Sequence, residues 1–294
     1  MRAIVLFVLI GLCACSASLG GPCSLDEPCD EGVCNLSGLG EPVCIAGDGD
    51  IDGDGLANNR DFCNQQPGGA FDEDLDGLGD DCDRCPIARP PAMPETDGDE
   101  VDSPCDPDQT SAGERISVFE GFNDGLPASW RKEGTWEVRG GEALFTPADP
   151  NAFQSFTTQL PLAARHLAVQ ASYRVSRLDM AAAQHLAGVT VVDRRPAGTA
   201  IASCGGSRIG GMDTLVLTSD AGASTKPFTN LFDTAGLYRI AQRIDNAQGA
   251  CAMISDAQSG AVQQTTAGEL FTEAGLTARG LEVRFQYLLV VQRP

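Results

Sequence analysis

The chain has 294 residues, 12 cysteines and a formal net charge of −21. Residues 16–115 hold 25 Asp and Glu against 4 Lys and Arg, whereas residues 116–294 are nearly balanced at 16 against 15. Acid at that density repels nucleic acid, which excludes a nucleic-acid-binding role, and it cannot collapse around a core unless cations neutralise it. The acid therefore belongs to one segment, and a solvated acidic linker is its plainest reading. Regular spacing, glycines and cysteines argue against that reading.

Residues 1–14 form a targeting segment. Met1-Arg2 is a short positive start, and Ala3 to Leu12 is an apolar run too short to span a bilayer as a helix. Leu12-Cys13-Ala14-Cys15 follows. It resembles a bacterial lipobox, with Leu12 and Ala14 in the flanking positions and Cys15 in the modified one. The resemblance implies cleavage before Cys15, lipidation of that residue and, with Ser16 next, residence at the outer membrane. Ordinary secretion without lipid is the alternative. Several acyl chains at about 0.8 kcal/mol per buried CH₂ would give a persistent membrane anchor.

With Cys13 in the signal and Cys15 lipidated, ten cysteines remain: Cys23, Cys29, Cys34, Cys44, Cys63, Cys82, Cys85, Cys105, Cys204 and Cys251. An even number in an exported chain predicts five disulfides. Zinc is the competing use, but Cys82-x-x-Cys85 has no second such pair, and His166 and His185 are remote. Residues 15–47 form a small neck with four of these cysteines, too small for a hydrophobic core and dependent on staples. Three connectivities are open to Cys23, Cys29, Cys34 and Cys44.

Residues 48–110 repeat with a period near 22, and such a period marks an array. The first unit places carboxylates at Asp50, Asp52 and Asp54, then Gly55, Leu56, Asn58 and Asp61. The second runs Asp72, Asp74, Asp76, Gly77, Leu78, Asp80 and Asp83. The third runs Glu95, Asp97, Asp99, Glu100, Ser103 and Asp106. Acids at alternating positions before a glycine turn gather hard oxygen ligands around one point, the pattern calcium requires. Backbone carbonyls of Leu56 and Leu78 would complete the first two shells. The closing residue is Asp where a helical EF-hand has Glu, and the flanking Cys and Pro leave no room for long helices.

These loops resemble thrombospondin type 3 repeats, which wrap calcium in Asp-rich loops with little regular secondary structure. The resemblance covers about sixty residues. It implies disulfides Cys63–Cys82 and Cys85–Cys105, each closing a loop worth roughly 3 kcal/mol. The third unit departs from the pattern, with Glu100 in place of the turn glycine and Ser103 in place of a carboxylate, so it is expected to be the weakest site or none. Extracellular modules of this kind bind calcium at about 10⁻⁴–10⁻³ M, with folding coupled to binding.

Residues 116–294 read as an antiparallel β-sandwich. His166–Val175, Thr214–Thr218, Leu237–Ala241 and Leu281–Tyr287 alternate apolar and polar residues over strand lengths. Glycines at 140–141, 205–206, 210–211 and 260 are expected to break the strands. Phe119-Glu-Gly-Phe-Asn-Asp-Gly-Leu-Pro-Ala-Ser-Trp130, Trp136-Glu-Val138 and the closing run Val283–Val291 resemble the first and last strands of a concanavalin A-like jelly roll, which implies that the last strand returns beside the first. Cys204 and Cys251 are expected to bridge neighbouring strands. Trp136 is expected in the core and Trp130 at the surface, a candidate for stacking on a sugar. Arg131-Lys132 and Arg194-Arg195 read as loop charges, and His166 and His185 as ordinary half-buried histidines.

The strand-borne Glu-x-Asp-x-Glu cluster of laminarinase-like jelly rolls does not occur in the sequence, nor does Gly-x-Ser-x-Gly. Glu133, Glu137 and Glu142 do not share a strand face. The expected protein is a calcium-binding envelope lipoprotein acting in surface binding or adhesion, without catalysis. Its head would bind carbohydrate or another envelope protein, with a polysaccharide-degrading enzyme or a purely structural envelope protein as alternatives.

Overall fold

The computed structural model describes residues 18–38, 40–89, 96–195, 198–266 and 268–293. The expected targeting segment, the expected lipidation position Cys15 and the first acid of the third repeat, Glu95, lie outside them. Contacts divide the chain into two units, Met1–Pro86 and Ile87–Pro294. The first two acidic repeats fall in the first unit, and the described part of the third falls with the β-rich head.

Among the described residues of the N-terminal unit the buried apolar side chains are Cys44, Cys63 and Cys85, and these form no hydrophobic core to speak of. Covalent staples take its place. Strands β1 (Val33–Asn35) and β2 (Val43–Ile45) pair antiparallel with Cys34 opposite Cys44. The bridges here are Cys23–Cys34 and Cys29–Cys44, which settles one of the three open connectivities. Cys63–Cys82 is also formed. Beyond the hairpin the backbone runs in turns. Phe62 N–H donates to Gly69 O and Gly79 N–H to Phe62 O, so the stretch linking the first repeat to the second is stitched to itself.

The head is two packed antiparallel sheets. Its strands are β3 (Arg115–Glu120), β4 (Arg131–Lys132), β5 (Trp136–Val138), β6 (Ala143–Phe145), β7 (Gln154–Ala164), β8 (His166–Leu178), β9 (Gln184–Arg195), β10 (Gly198–Ile209), β11 (Met212–Ser219), β12 (Gly222–Pro227), β13 (Tyr238–Asp245), β14 (Gln248–Ile254), β15 (Ser259–Thr265), β16 (Phe271–Arg279) and β17 (Leu281–Gln292). One sheet has the order β12-β11-β10-β9-β16-β7-β4, the other β15-β14-β13-β8-β17-β6-β5, with β3 also pairing β17. The last strand thus lies antiparallel beside the first, Leu289 opposite Phe119. All four strands read from alternation are present.

Alternation explains the layering, because successive side chains point to opposite faces of a strand. In β13, Tyr238, Ile240, Gln242 and Ile244 are buried and the residues between them are not. Tyr173, Tyr238, Phe145, Phe156 and Phe285 fill the centre at 1% exposure or less. Trp136 joins them, stacked on Phe156 with centroids 5.6 Å apart.

Three expectations are corrected. Gly205, Gly206 and Gly260 lie inside β10 and β15 rather than between strands. They are glycine for close packing: a Cβ on Gly205 would stand 2.8 Å from Ala187 O. Cys204 and Cys251 do bridge, but β10 and β14 belong to different sheets, so the disulfide ties the two layers through the core instead of joining neighbours. Trp130 is half-buried, not exposed. It packs 4.7 Å from Phe156 and edge-on to Phe122 at 5.8 Å, because the apolar end of the sandwich gains more from covering with an indole than water does.

Phe285 touches Trp136 and Tyr173 at the centre of this aromatic layer. Phe285→Ala is expected to destabilise the head by about 3–5 kcal/mol, measured as a lowered denaturation midpoint in guanidinium.

Candidate metal centres and the head groove

The acidic loops are built by one repeated local device. The position-5 carboxylate accepts the amide two residues on: Leu56 N–H to Asp54 Oδ1 at 2.7 Å, Leu78 N–H to Asp76 Oδ1 at 2.8 Å, and Val101 N–H to Asp99 Oδ1 at 2.8 Å. The position-1 carboxylate accepts the turn glycine: Gly55 N–H to Asp50 Oδ2 at 3.1 Å and Gly77 N–H to Asp72 Oδ2 at 2.8 Å. The bonds that reach two residues on are the Asx turns that Asp makes readily, and those to the glycines reach five residues on and close the loop. Gly55 and Gly77 have φ of +98° and +91°, the left-handed region that glycine enters without Cβ strain.

The outcome is convergence. Ligand oxygens of Asp50, Asp52 and Asp54 lie within 4.8 Å of one another, and so do those of Asp72, Asp74 and Asp76. Pairs of unit charges 4 Å apart repel by about 1 kcal/mol in water and about 4 kcal/mol near a protein surface. Oδ2 of Asp52 is buried with no hydrogen-bond partner. A buried anionic oxygen without a partner, on a residue of such a cluster, suits a group that could hold a hard divalent cation.

The other predicted ligands also make hydrogen bonds to the backbone. Asn58 Oδ1 accepts Ile51 N–H at 3.2 Å while its Nδ2 donates to Ala46 O at 2.7 Å, and Asp80 Oδ1 accepts Glu73 N–H at 2.9 Å. Position 9 therefore braces position 2 of its own loop. Asp61, Asp83 and Asp106 likewise accept the amides of Cys63, Cys85 and Asp108. Leu56 and Leu78 stand at position 7 with their amides engaged as above. In the third repeat, Asp97 and Asp99 gather with a residue the repeat pattern omits, Glu114. Its signal is absent from the sequence because it lies past the loop, directly before β3.

Burial pushes the Asp74 carboxyl up to about 6, with the charge of Asp76 adding to it. Burial pushes Asp80 up to about 7, and Asp61 is raised by the same cause. Asp54 is held below its ordinary value, chiefly by the Gly68 amide.

The head carries a separate feature. Core residues such as Val189, Val191, Leu215 and Leu276 point to the inner side of the seven-stranded sheet. Their neighbours Thr190, Ser203, Thr218 and Thr277 face outward and line a groove of about 330 Å³. Thr190 pairs with Ser203 and Ser203 with Thr218, so three hydroxyl residues cross the strands side by side. Thr190 is only 2% exposed although it faces away from the core, so the floor is recessed. Gly188 and Gly275 keep it low, since a Cβ on either would meet the adjoining strand's carbonyl at 2.0 or 2.1 Å. Phe153, Ile201, Arg194 and Glu133 form the walls.

Arg194 and Arg131 are corrected from loop charges to strand residues that brace this wall. Arg194 Nε donates to both oxygens of Glu273 at 2.9 and 3.1 Å, and its Nη2 donates to Glu133 at 3.2 Å. Arg131 lies 3.7 Å from Glu273. Thr157 and Gln159 also donate to Glu273, which is 1% exposed. Sequence reasoning missed Glu273 because its partners are distant in the chain. His166 is paired with Asp245 at 2.7 Å and His185 with Asp179 O at 3.0 Å, both half-buried.

No family model and no curated protein matches the chain. Among solved structures, the CBM2 module of the evolved Dit of Lactobacillus casei BL23 phage J-1 is similar over 61% of this chain and 96% of its own, at 13% identity and a TM-score of 0.46. Basic winged bean lectin, solved with Tn-antigen, is similar over 62% and 99%, at 7% identity and 0.49. A xylan β-1,4-xylosidase from Bacillus halodurans C-125 is similar over 61% and 40%, at 10% identity and 0.41. The antiparallel jelly-roll architecture stated here rests on the strand order itself.

Carboxyls with raised folded-state values bind more protons folded than unfolded, so the ion-free fold loses stability as pH rises. With chelator present, the N-terminal unit is expected to resist urea better at pH 5 than at pH 8, through the window where Asp74 and Asp80 titrate. A saturating divalent cation is expected to reverse that order. Intrinsic protease resistance of residues 18–86 against urea, at both pH values, checks it.

Proposed function

We propose that this is a calcium-binding, lipid-anchored envelope protein whose head binds carbohydrate at the cell surface. The observation that carries the calcium assignment is the pair of carboxylate triads with the buried, partnerless Asp52 oxygen. All-oxygen ligands on a flexible turn suit calcium better than the small, strictly octahedral magnesium ion. Ten cysteines from Cys23 onward are in disulfides, which supports export to an oxidising compartment and leaves Cys15 outside that framework for lipidation.

The groove supports a saccharide as the ligand of the head. Sugars are bound by rows of hydroxyl and amide groups beside an aromatic or apolar wall, and the groove offers Thr190, Ser203 and Thr218 beside Phe153 and Ile201. Catalysis by paired carboxylates needs one free acid and one free base. Of the two carboxylates that line the groove, Glu133 and Asp220, Glu133 is tied to the Arg194 guanidinium, which favours binding without cleavage.

A polysaccharide panel, assayed for retained protein and for released sugar, tests this reading. Retention without release is expected, with about tenfold or greater weakening in Ser203→Trp, whose indole would fill the groove. Released sugar would sink the non-enzymatic assignment. Unchanged retention by the variant would move the site off this face. Chelator is expected to enlarge the hydrodynamic radius and expose the acidic repeats to protease, as coupled folding and binding requires.

A further inference from the structure

The third acidic repeat is the one whose sequence predicts a failed site. Its turn glycine is Glu100, and Ser103 stands where another carboxylate is expected. Yet oxygens of Asp97, Asp99 and Glu114 lie within 4.8 Å of one another. Glu114 comes from outside the loop, and comparison with the first repeat shows how it arrives. There, Gly68 N–H donates to Asp54 Oδ2 at 3.0 Å; here, Glu114 N–H donates to Asp99 Oδ2 at 3.0 Å. The same backbone crossing closes both loops. In the first the crossing residue has no side chain, and in the third it carries a carboxylate.

That carboxylate is the independent sign of a ligand. Glu114 is 5% exposed, and its Oε2 is buried with no hydrogen-bond partner. The only cation beside it among the described ion pairs is Arg293, 3.7 Å from Oε1. Asp106 faces Asp97 and Asp99 as well, so one guanidinium at that distance stands against several carboxylates. Burying such a group without a counter-charge is strongly unfavourable, and a coordinated divalent ion supplies one.

We infer that Asp97, Asp99 and Glu114 form a third divalent-cation site that is part of the head's own fold. Glu114 immediately precedes β3, whose Arg115 pairs with Gln292 of β17. The loop is held to the same sheet by Arg243 of β13, which donates to Pro107 O and to Asp108 Oδ2, and by Gln170 of β8, which donates to Cys105 O. An ion at Glu114 therefore fixes the head's first strand. Binding to the folded state alone raises the stability of what it binds, so the head becomes calcium-dependent in its own right. This rests on the reading of the acidic repeats as calcium sites.

Both tryptophans, Trp130 and Trp136, lie in the head, so their fluorescence reports its unfolding selectively. The full-length protein, stripped of metal, is titrated with calcium alone for ion stoichiometry, then melted by tryptophan fluorescence with calcium or chelator. Wild type is compared with Glu114→Gln, with Asp97→Asn and with the double variant Asp52→Asn, Asp74→Asn. Expected is a calcium-dependent rise in the head's melting temperature for wild type and for the double variant. Glu114→Gln and Asp97→Asn lose that rise and bind one ion fewer than wild type. If both bind as many ions as wild type and keep the rise, the third site is wrong while the first two loops stand. If wild type binds no calcium, both readings fall together. Should Glu114→Gln not fold, Asp97→Asn, at a half-buried loop position, decides alone.

Discussion

Repulsion among carboxylates is the constraint that shapes the N-terminal unit. Three acids converge twice within a few ångströms, and the unit's described residues form no apolar core whose burial would offset that cost. What keeps it compact is covalent and local: disulfides that restrict the unfolded chain, and Asx turns that satisfy backbone amides within each loop. Neither removes the charge. A proton on a raised carboxyl such as Asp74 or Asp80 removes it, and a divalent cation held by the triads would do the same.

The head obeys the opposite physics. Its charges sit at the faces and edges of two sheets whose shared interior is aromatic and aliphatic, cross-linked once by Cys204–Cys251. The buried carboxylate of Glu273 is surrounded by donors from Arg194, Thr157 and Gln159. A satisfied anion of this kind is a positioning element: it holds Arg194 and, through it, Glu133 at the edge of the groove. The recessed hydroxyl floor follows from strand backbones so close that Gly188 and Gly275 admit no side chain.

Much of this was legible in the residues, and what was not has a common cause. Alternation revealed β8, β11, β13 and β17, because a period of two is local and the pleat enforces it. The 22-residue acid period revealed the triads, since consecutive Asx turns are local as well. Gly205 and Gly206 read as a break because packing against Ala187 and Tyr173, which makes glycine necessary there, is a tertiary fact. Glu273 and Glu114 left no trace, as each is defined by partners far along the chain. Trp130 looked exposed by its charged and Pro-bearing neighbours, yet Phe156, distant in sequence, decides its burial.

The separation of bracing from ligating residues carries a consequence for affinity. Oxygens of Asp54, Asp76 and Asp99 each accept one backbone amide, and a carboxylate oxygen has two lone pairs, so the bond aims the other toward the cluster without consuming it. Asn58 and Asp80 hold the opposite side of the first two loops to their second residue. Part of the loop's shape is thereby set locally, and an ion held there would leave that much less ordering to be done on binding. Against this, the same geometry forces the carboxylates together before any ion arrives. For an ion held in these loops, affinity would be a balance between those two effects, ordering already done and repulsion already stored. It follows that a substitution at a bracing position such as Asn58 acts on the first of them alone, and one at Asp52 acts on both.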